Sequence, residues 1–189
     1  FGVKEEAVTK EMRRRAKVIN FGIIYGMGVN ALKTSLGTTR QEAEQFMTNY
    51  FDTFPTIKKY FANVVALAKQ RGYTETLFGR RRYLPALKSR LPQILAGAER
   101  MAMNAPLQGT AADIIKLAMI KVDKNLQTAG LGGEAHLLLQ IHDELIYEVA
   151  KAKVAEAEKI IRLAMEGAIE LPVPLSVSFD VGASWLELA

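Results

Sequence analysis

Arg13, Lys17, Phe21 and Tyr25 stand four residues apart in the stretch RRRAKVINFGIIYG, residues 13–26. On an α-helix each step of four advances about 40°, so the set forms a slowly turning stripe over about a third of the circumference. The two cations lie nearer the N-terminal end, where the helix dipole adds to their attraction for a phosphate chain. Phe21 sits about 6 Å further along the axis than Lys17, which leaves room for a sugar between phosphates and a flat base. An aromatic ring there can stack on a base without reading which base it is. The same four residues would also suit a snorkelling basic surface above a half-buried aromatic edge, and Ile24 near the stripe fits that reading.

Two further groups could do chemistry. His142, Asp143 and Glu144 interrupt two apolar, β-favouring runs in AHLLLQIHDELIYEV, residues 135–149. A carboxylate at the tip of a hairpin between two buried strands is held firmly, as a metal-binding Asp must be. Turns also favour Asp for its local hydrogen bonding alone. In ERMAMNAPLQG, Arg100, Asn104 and Gln108 follow one another at i, i+4 and i+8, placing three long donor side chains on one stripe. Every correct base pair offers a minor-groove acceptor in nearly the same place, so such donors can check pair geometry without reading sequence. A polar network around a Pro-bent helix would use the same residues.

The elements that must carry these groups are legible from caps and periodicity. Thr9 caps a helix from about Lys10 to Tyr25, which ends near Gly26 and Gly28. Thr39 with Glu42 forms a capping box that opens a helix through Phe51. Pro55 suits the first turn of another, in which Ile57, Tyr60, Phe61, Val64 and Leu67 recur at helical spacing before Gly72. YTETLFGRRRYLP, residues 73–85, predicts a hairpin around Gly79 with a basic return arm. Residues 91–127 are helical in pattern, and Pro106 and Gly109 predict two helices with a bend between them. A hairpin over 135–149, a helix over 151–168 and an outer strand in PLSVSFDVGASW complete the chain.

Composition narrows the class. The chain has 189 residues, enough for one substantial core or two lobes. No apolar run reaches the roughly 18 residues of a spanning helix, and no signal-peptide layout opens the chain. With no cysteine there is neither a disulfide nor a thiolate metal site, which fits a reducing compartment. A net charge of +5 leans toward a polyanionic partner. GIIYGMG is not the dinucleotide-binding glycine pattern, and no phosphate-loop, zinc-protease or nucleophile-elbow motif occurs. The start at Phe1-Gly2-Val3 without Met, and the stop just after Trp185-Leu186, suggest a piece of a longer polypeptide.

Taken in order, RRRAKVINFGIIYG, GRRRYLP, ERMAMNAPLQGTAADIIKLAM and LLLQIHDEL resemble the family A DNA polymerases, the bacterial DNA polymerase I group, over essentially the whole chain. The resemblance implies an α+β fragment of a right-hand polymerase fold. Helical fingers would cover residues 1–72, and 73–189 would hold the rest of the fingers and palm, with DNA-lining helices at about 91–129. It implies that Arg13 and Lys17 hold the phosphates of an incoming dNTP and that Phe21 packs on its base and sugar. Tyr25 and Gly26 would then flank the template base. Arg100, Asn104, Gln108 and His142 would line the DNA near the primer end. Asp143 would bind metal as one of two palm aspartates, with Glu144 supporting, and Lys17 would join the catalysis. The implied partners are primer–template DNA, dNTP and the upstream part of the polymerase, with no membrane. The implied cofactor is a pair of Mg²⁺ ions, and the implied location is a bacterial cytoplasm, on the nucleoid.

The family's other palm aspartate belongs upstream of residue 1. Asp180, on the expected strand SVSFDV, resembles a solvent-facing residue more than a ligand. The chain alone is therefore expected not to polymerise. Two other readings fit the same residues: a single-subunit RNA polymerase fragment, and a DNA-binding module without catalysis.

Overall fold

The computed structural model describes residues 2–188. The chain divides into two compact units, Phe1–Gly109 and Thr110–Ala189.

The first unit is mainly helical. After a 3₁₀ turn at Glu5–Ala7 come α1 (Lys10–Ile24), α2 (Val29–Leu36), α3 (Arg40–Thr53) and α4 (Pro55–Arg71). Thr9 caps α1 by accepting from the Met12 amide at 3.2 Å. At α3 the expected capping box is complete, with Thr39 accepting from the Glu42 amide at 3.2 Å and Glu42 from the Thr39 amide at 3.0 Å. Pro55 opens α4, and Gly72 closes it in the left-handed conformation that residues with a Cβ disfavour. Ile19, Ile23, Leu32, Leu36, Ala43 and Phe61 form one core, which ties α1, α2, α3 and α4 together. Of the apolar positions expected on α4, only Phe61 is fully buried, while Tyr60 and Leu67 are exposed.

A short antiparallel hairpin follows, β1 (Tyr73–Glu75) and β2 (Arg81–Tyr83), with Tyr73 opposite Tyr83 and Glu75 opposite Arg81. Arg81 lies over the Tyr73 ring at 4.6 Å. Leu84 and Leu87 then pack with Ala68, Ala98 and Ala102 as a second core of this unit.

One expectation is corrected here. Residues 92–128 form a single helix, α5 (Pro92–Thr128), with Pro106 inside it, and not two helices. A proline removes one amide donor and crowds the preceding turn, but it does not forbid helical dihedrals. Packing outweighs that cost: Ala98, Ala102 and Ala105 are buried before Pro106, and Ile115, Ala118, Val122 and Leu126 after it. The boundary between the two units falls within this helix.

In the second unit, β3 (Ala135–Ile141) and β4 (Glu144–Val149) pair antiparallel, with Ala135 opposite Val149 and Ile141 opposite Glu144. A 3₁₀ turn at Lys151–Lys153 leads into α6 (Val154–Glu166). Val122, Leu126, Leu131, Ala135, Ala157, Ile161 and Ala164 make the core, and Tyr147, Val149 and Phe179 pack against it half-buried. Burial and the nearby Asp123 carboxylate push the Tyr147 hydroxyl up to about 12.

A second correction concerns the end of the chain. The segment 174–182 alternates in burial up to Asp180 but forms no strand. Its main chain is held by α6 side chains: Arg162 donates to the Val177 carbonyl at 2.6 Å, and the Val177 amide donates to Glu166 at 3.1 Å. Alternation shows which side faces a core, whereas a strand also needs a neighbour to complete its ladder. Among the described residues, the sheet of this unit contains only β3 and β4.

Candidate functional site

On α1 the buried residues are Ile19, Gly22 and Ile23, which set the helix against the first core. The expected stripe lies on the exposed side. Arg13 and Lys17 are exposed, and Phe21 and Tyr25 are 56% and 50% exposed. The aromatic edge is therefore open to solvent over about half of its surface.

Glu11 then sorts the cations. It accepts from Arg14 through two bonds of 2.7 Å and from Arg15 at 3.3 Å. The Arg14 hydrogen bond holds the Glu11 carboxyl below its ordinary value, and Glu11 in turn raises Arg14. Among the described residues, the side chains of Arg13 and Lys17 make no hydrogen bond or ion pair. Of four clustered cations, the two on the stripe are the ones left available. Charge density in the sequence did not reveal this division, although Glu11 three and four residues before the arginines is the signal that could have.

Tyr25 is the C-cap of α1, and its hydroxyl accepts from Gln108 Nε2 on α5 at 3.2 Å. Gly26 follows with φ +69°, and a Cβ there would lie 2.7 Å from Arg100 Cγ and 2.9 Å from Met103 Cε. Glycine is required twice over, by backbone conformation and by the close approach of α5. The structure thus brings Tyr25, Gly26, Arg100 and Gln108 together. Asn104 is half-buried between them in sequence, with Nδ2 enclosed and lacking a hydrogen-bond partner among the described residues, so the donor stripe is not uniformly presented.

The β1–β2 hairpin meets α5 beside Gln108. Arg80 donates to the Gly109 carbonyl at 2.9 Å, and a Cβ on Gly109 would come within 2.5 Å of Thr76 Cγ2. Thr74, Thr76, Arg80, Arg82, Gln108 and Gly109 line a cavity of about 90 Å³ there. Sequence reasoning read Gly109 as a helix bend and Arg80 as part of a basic hairpin arm, and it did not foresee that the two meet.

In the second unit, His142 and Asp143 form the two-residue turn between β3 and β4. His142 has φ +54°, the left-handed conformation that tight hairpin turns demand. Gln140 Nε2 braces the turn by donating to the His142 carbonyl at 3.1 Å. The hairpin is not flanked by two buried strands, as expected: β3 is exposed along most of its length. With one partner strand and α6 to cover it, the sheet leaves that face open among the described residues. Asp143 and Glu144 are exposed, and their side chains make no hydrogen bond or ion pair among the described residues. They border a cavity of about 400 Å³, which β4, α6 and the segment 176–182 enclose and to which Asp180 also contributes. Among the described residues, no three His, Asp or Glu side chains cluster closely enough to hold a metal by themselves.

The profile of "DNA polymerase family A" matches residues 1–187. The chain is 46% identical over 187 residues to the thermostable DNA polymerase I of Thermus filiformis, spanning 99% of this chain and 22% of that protein. It is 47% identical over 187 residues to DNA polymerase I of Bacillus caldotenax, spanning 99% of this chain and 21% of the relative. A solved structure, the POL domain of Pol1 from M. smegmatis in complex with DNA primer-template and dNTP, superposes with a TM-score of 0.94 at 45% identity. That superposition covers 100% of this chain and 33% of the solved one. The chain thus spans about a fifth of the length of the curated relatives it matches, and it belongs to DNA polymerase family A.

Proposed function

We propose that this chain is the nucleotide- and DNA-handling portion of a DNA-templated DNA polymerase, the fingers and part of the palm. The observation that carries the reading is on α1. The side chains of Arg13 and Lys17 are left without internal partners on the face that also exposes Phe21 and Tyr25, while Arg14 and Arg15 are engaged by Glu11.

In this reading Arg13 and Lys17 hold the triphosphate by charge-assisted bonds, Phe21 packs on base and sugar, and Tyr25 with Gly26 borders the template base. Lys17 Nζ offsets the charge that develops on the leaving pyrophosphate and donates a proton to it. Arg100, Asn104, Gln108 and His142 contact DNA near the primer end. Closure of α1 around a correctly shaped pair would select for it.

Asp143, with Glu144 supporting, fits a magnesium ion as an incomplete site. Hard divalent cations of this kind are commonly held by one or two carboxylates together with substrate phosphates. When bound, such ions would make the primer hydroxyl easier to deprotonate and neutralise charge on the transferred phosphoryl group. The second carboxylate would come from the part of the polymerase that precedes residue 1. A strand from that part, paired beside β4, would also give the extended segment 174–182 the neighbour it lacks.

The test is primer extension by this chain alone and by the chain joined to its upstream segment. The chain alone should give no product and the joined protein should extend. In the joined protein, Asp143→Ala should lose most turnover while keeping nearly all primer–template affinity. Extension by the isolated chain would refute the shared-carboxylate reading. The absence of a three-ligand cluster among the described residues favours a second reading for the chain, a DNA-binding module without catalysis. That reading expects the joined protein to show no turnover even before Asp143 is changed.

A further inference from the structure

We infer that Gln108 is a single donor with two alternative acceptors, the Tyr25 hydroxyl and a base pair at the primer end, and that this exchange couples α1 to the fit of that pair. The inference rests on the polymerase reading and adds to it a positioning role for the Tyr25 hydroxyl.

Three observations carry it. First, Gln108 Nε2 donates to Tyr25 Oη at 3.2 Å across 83 residues of sequence, so the donor expected to face DNA is directed at α1 in this structure. Second, the end of α1 is fixed on α5. Gly26 leaves no space for a Cβ against Arg100 and Met103, so the phenol is held at a set place beside Gln108. Third, Gln108 and Tyr25 are both exposed, so either group can change partners without leaving a buried polar atom unpaired. The flexible partner is Gln108, whose unbranched side chain can turn away while the ring stays.

A correct base pair presents its minor-groove acceptor where the donor can reach it, and a mismatch displaces that acceptor. On a matched end Gln108 would leave Tyr25, and the cost of breaking the bond would be subtracted from DNA affinity. On a mismatched end Gln108 would keep Tyr25 and gain nothing from the DNA.

The measurement is primer–template affinity of the joined protein with matched and mismatched primer ends, for wild type, Tyr25→Phe, Gln108→Ala and the double variant. Tyr25→Phe keeps the ring and removes only the acceptor. It should tighten binding of the matched end about two- to tenfold, the worth of one neutral hydrogen bond, and leave the mismatched end unchanged. In the Gln108→Ala background the same change should do nothing. Thermal midpoints measured alongside should stay constant, since both groups are exposed, whereas a purely structural contact would lower them. Weaker matched binding in Tyr25→Phe, an equal effect on both ends, or an effect that persists in Gln108→Ala would each overturn the proposal. If the wild type binds no primer–template at all, the polymerase reading falls first and this inference with it.

Discussion

Glu11 determines which cations of α1 face outward unpaired. By engaging Arg14 and Arg15 it leaves Arg13 and Lys17 as unpaired positive charge beside an open ring, an arrangement stability alone does not require. Exposed apolar rings cost solvation, and Phe21 at 56% exposure contributes little to the core beneath it. Phe21→Ala should therefore leave the melting temperature nearly unchanged. In nucleotide titrations of the joined protein it should weaken dNTP binding by about 1–3 kcal/mol, the worth of one stacked base. A large fall in melting temperature with unchanged nucleotide affinity would return Phe21 to the core. The stripe itself was legible in the sequence because four-residue spacing maps directly onto a helix face. Which of its charges were free was not, since that depends on rotamers and local pairing.

At the scale of elements, local chemistry announced most of the boundaries. Thr9, the Thr39–Glu42 box, Pro55 and Gly72 each act within one turn, so sequence alone places them. The capping box also makes a pH prediction. Hydrogen bonds from Thr38 and then from Thr39 lower the Glu42 carboxyl from 4.5 to about 2. A carboxyl whose folded value is depressed stabilises the fold above its unfolded value and loses that contribution as pH falls through the folded one. Unfolding experiments between pH 6 and 2 should show wild type more stable than Glu42→Gln near pH 5–6, with the difference vanishing as pH approaches about 2. A difference that stays constant across this range would contradict the assignment. What sequence missed at this scale was non-local. The helix Val29–Leu36 between Gly28 and Gly37 is too short to stand out by periodicity. The continuity of α5 through Pro106 depends on packing along both halves of the helix. The extended segment 174–182 has a strand's alternation without a strand's partner.

For the whole molecule, the chain matches about a fifth of the length of its relatives. Leu138 is 53% exposed on β3, and Asp143 and Glu144 belong to no cluster of three His, Asp or Glu side chains among the described residues. The motif order that identified the family is a property of the complete polymerase, and it survives here because both the basic stripe and the acidic turn are built from local sequence. The Tyr25–Gln108 bond, which spans 83 residues, left no such trace. The central claim is that the stripe on α1 is a triphosphate site and not a generic basic patch. Its most direct test is Lys17→Ala in the joined protein, with dNTP affinity and primer–template affinity measured separately by single-turnover incorporation and by DNA titration. Loss of one charge-assisted phosphate contact should weaken dNTP binding about ten- to a hundredfold and slow incorporation, with primer–template affinity reduced no more than about threefold. Equal losses of nucleotide and DNA affinity would contradict the account.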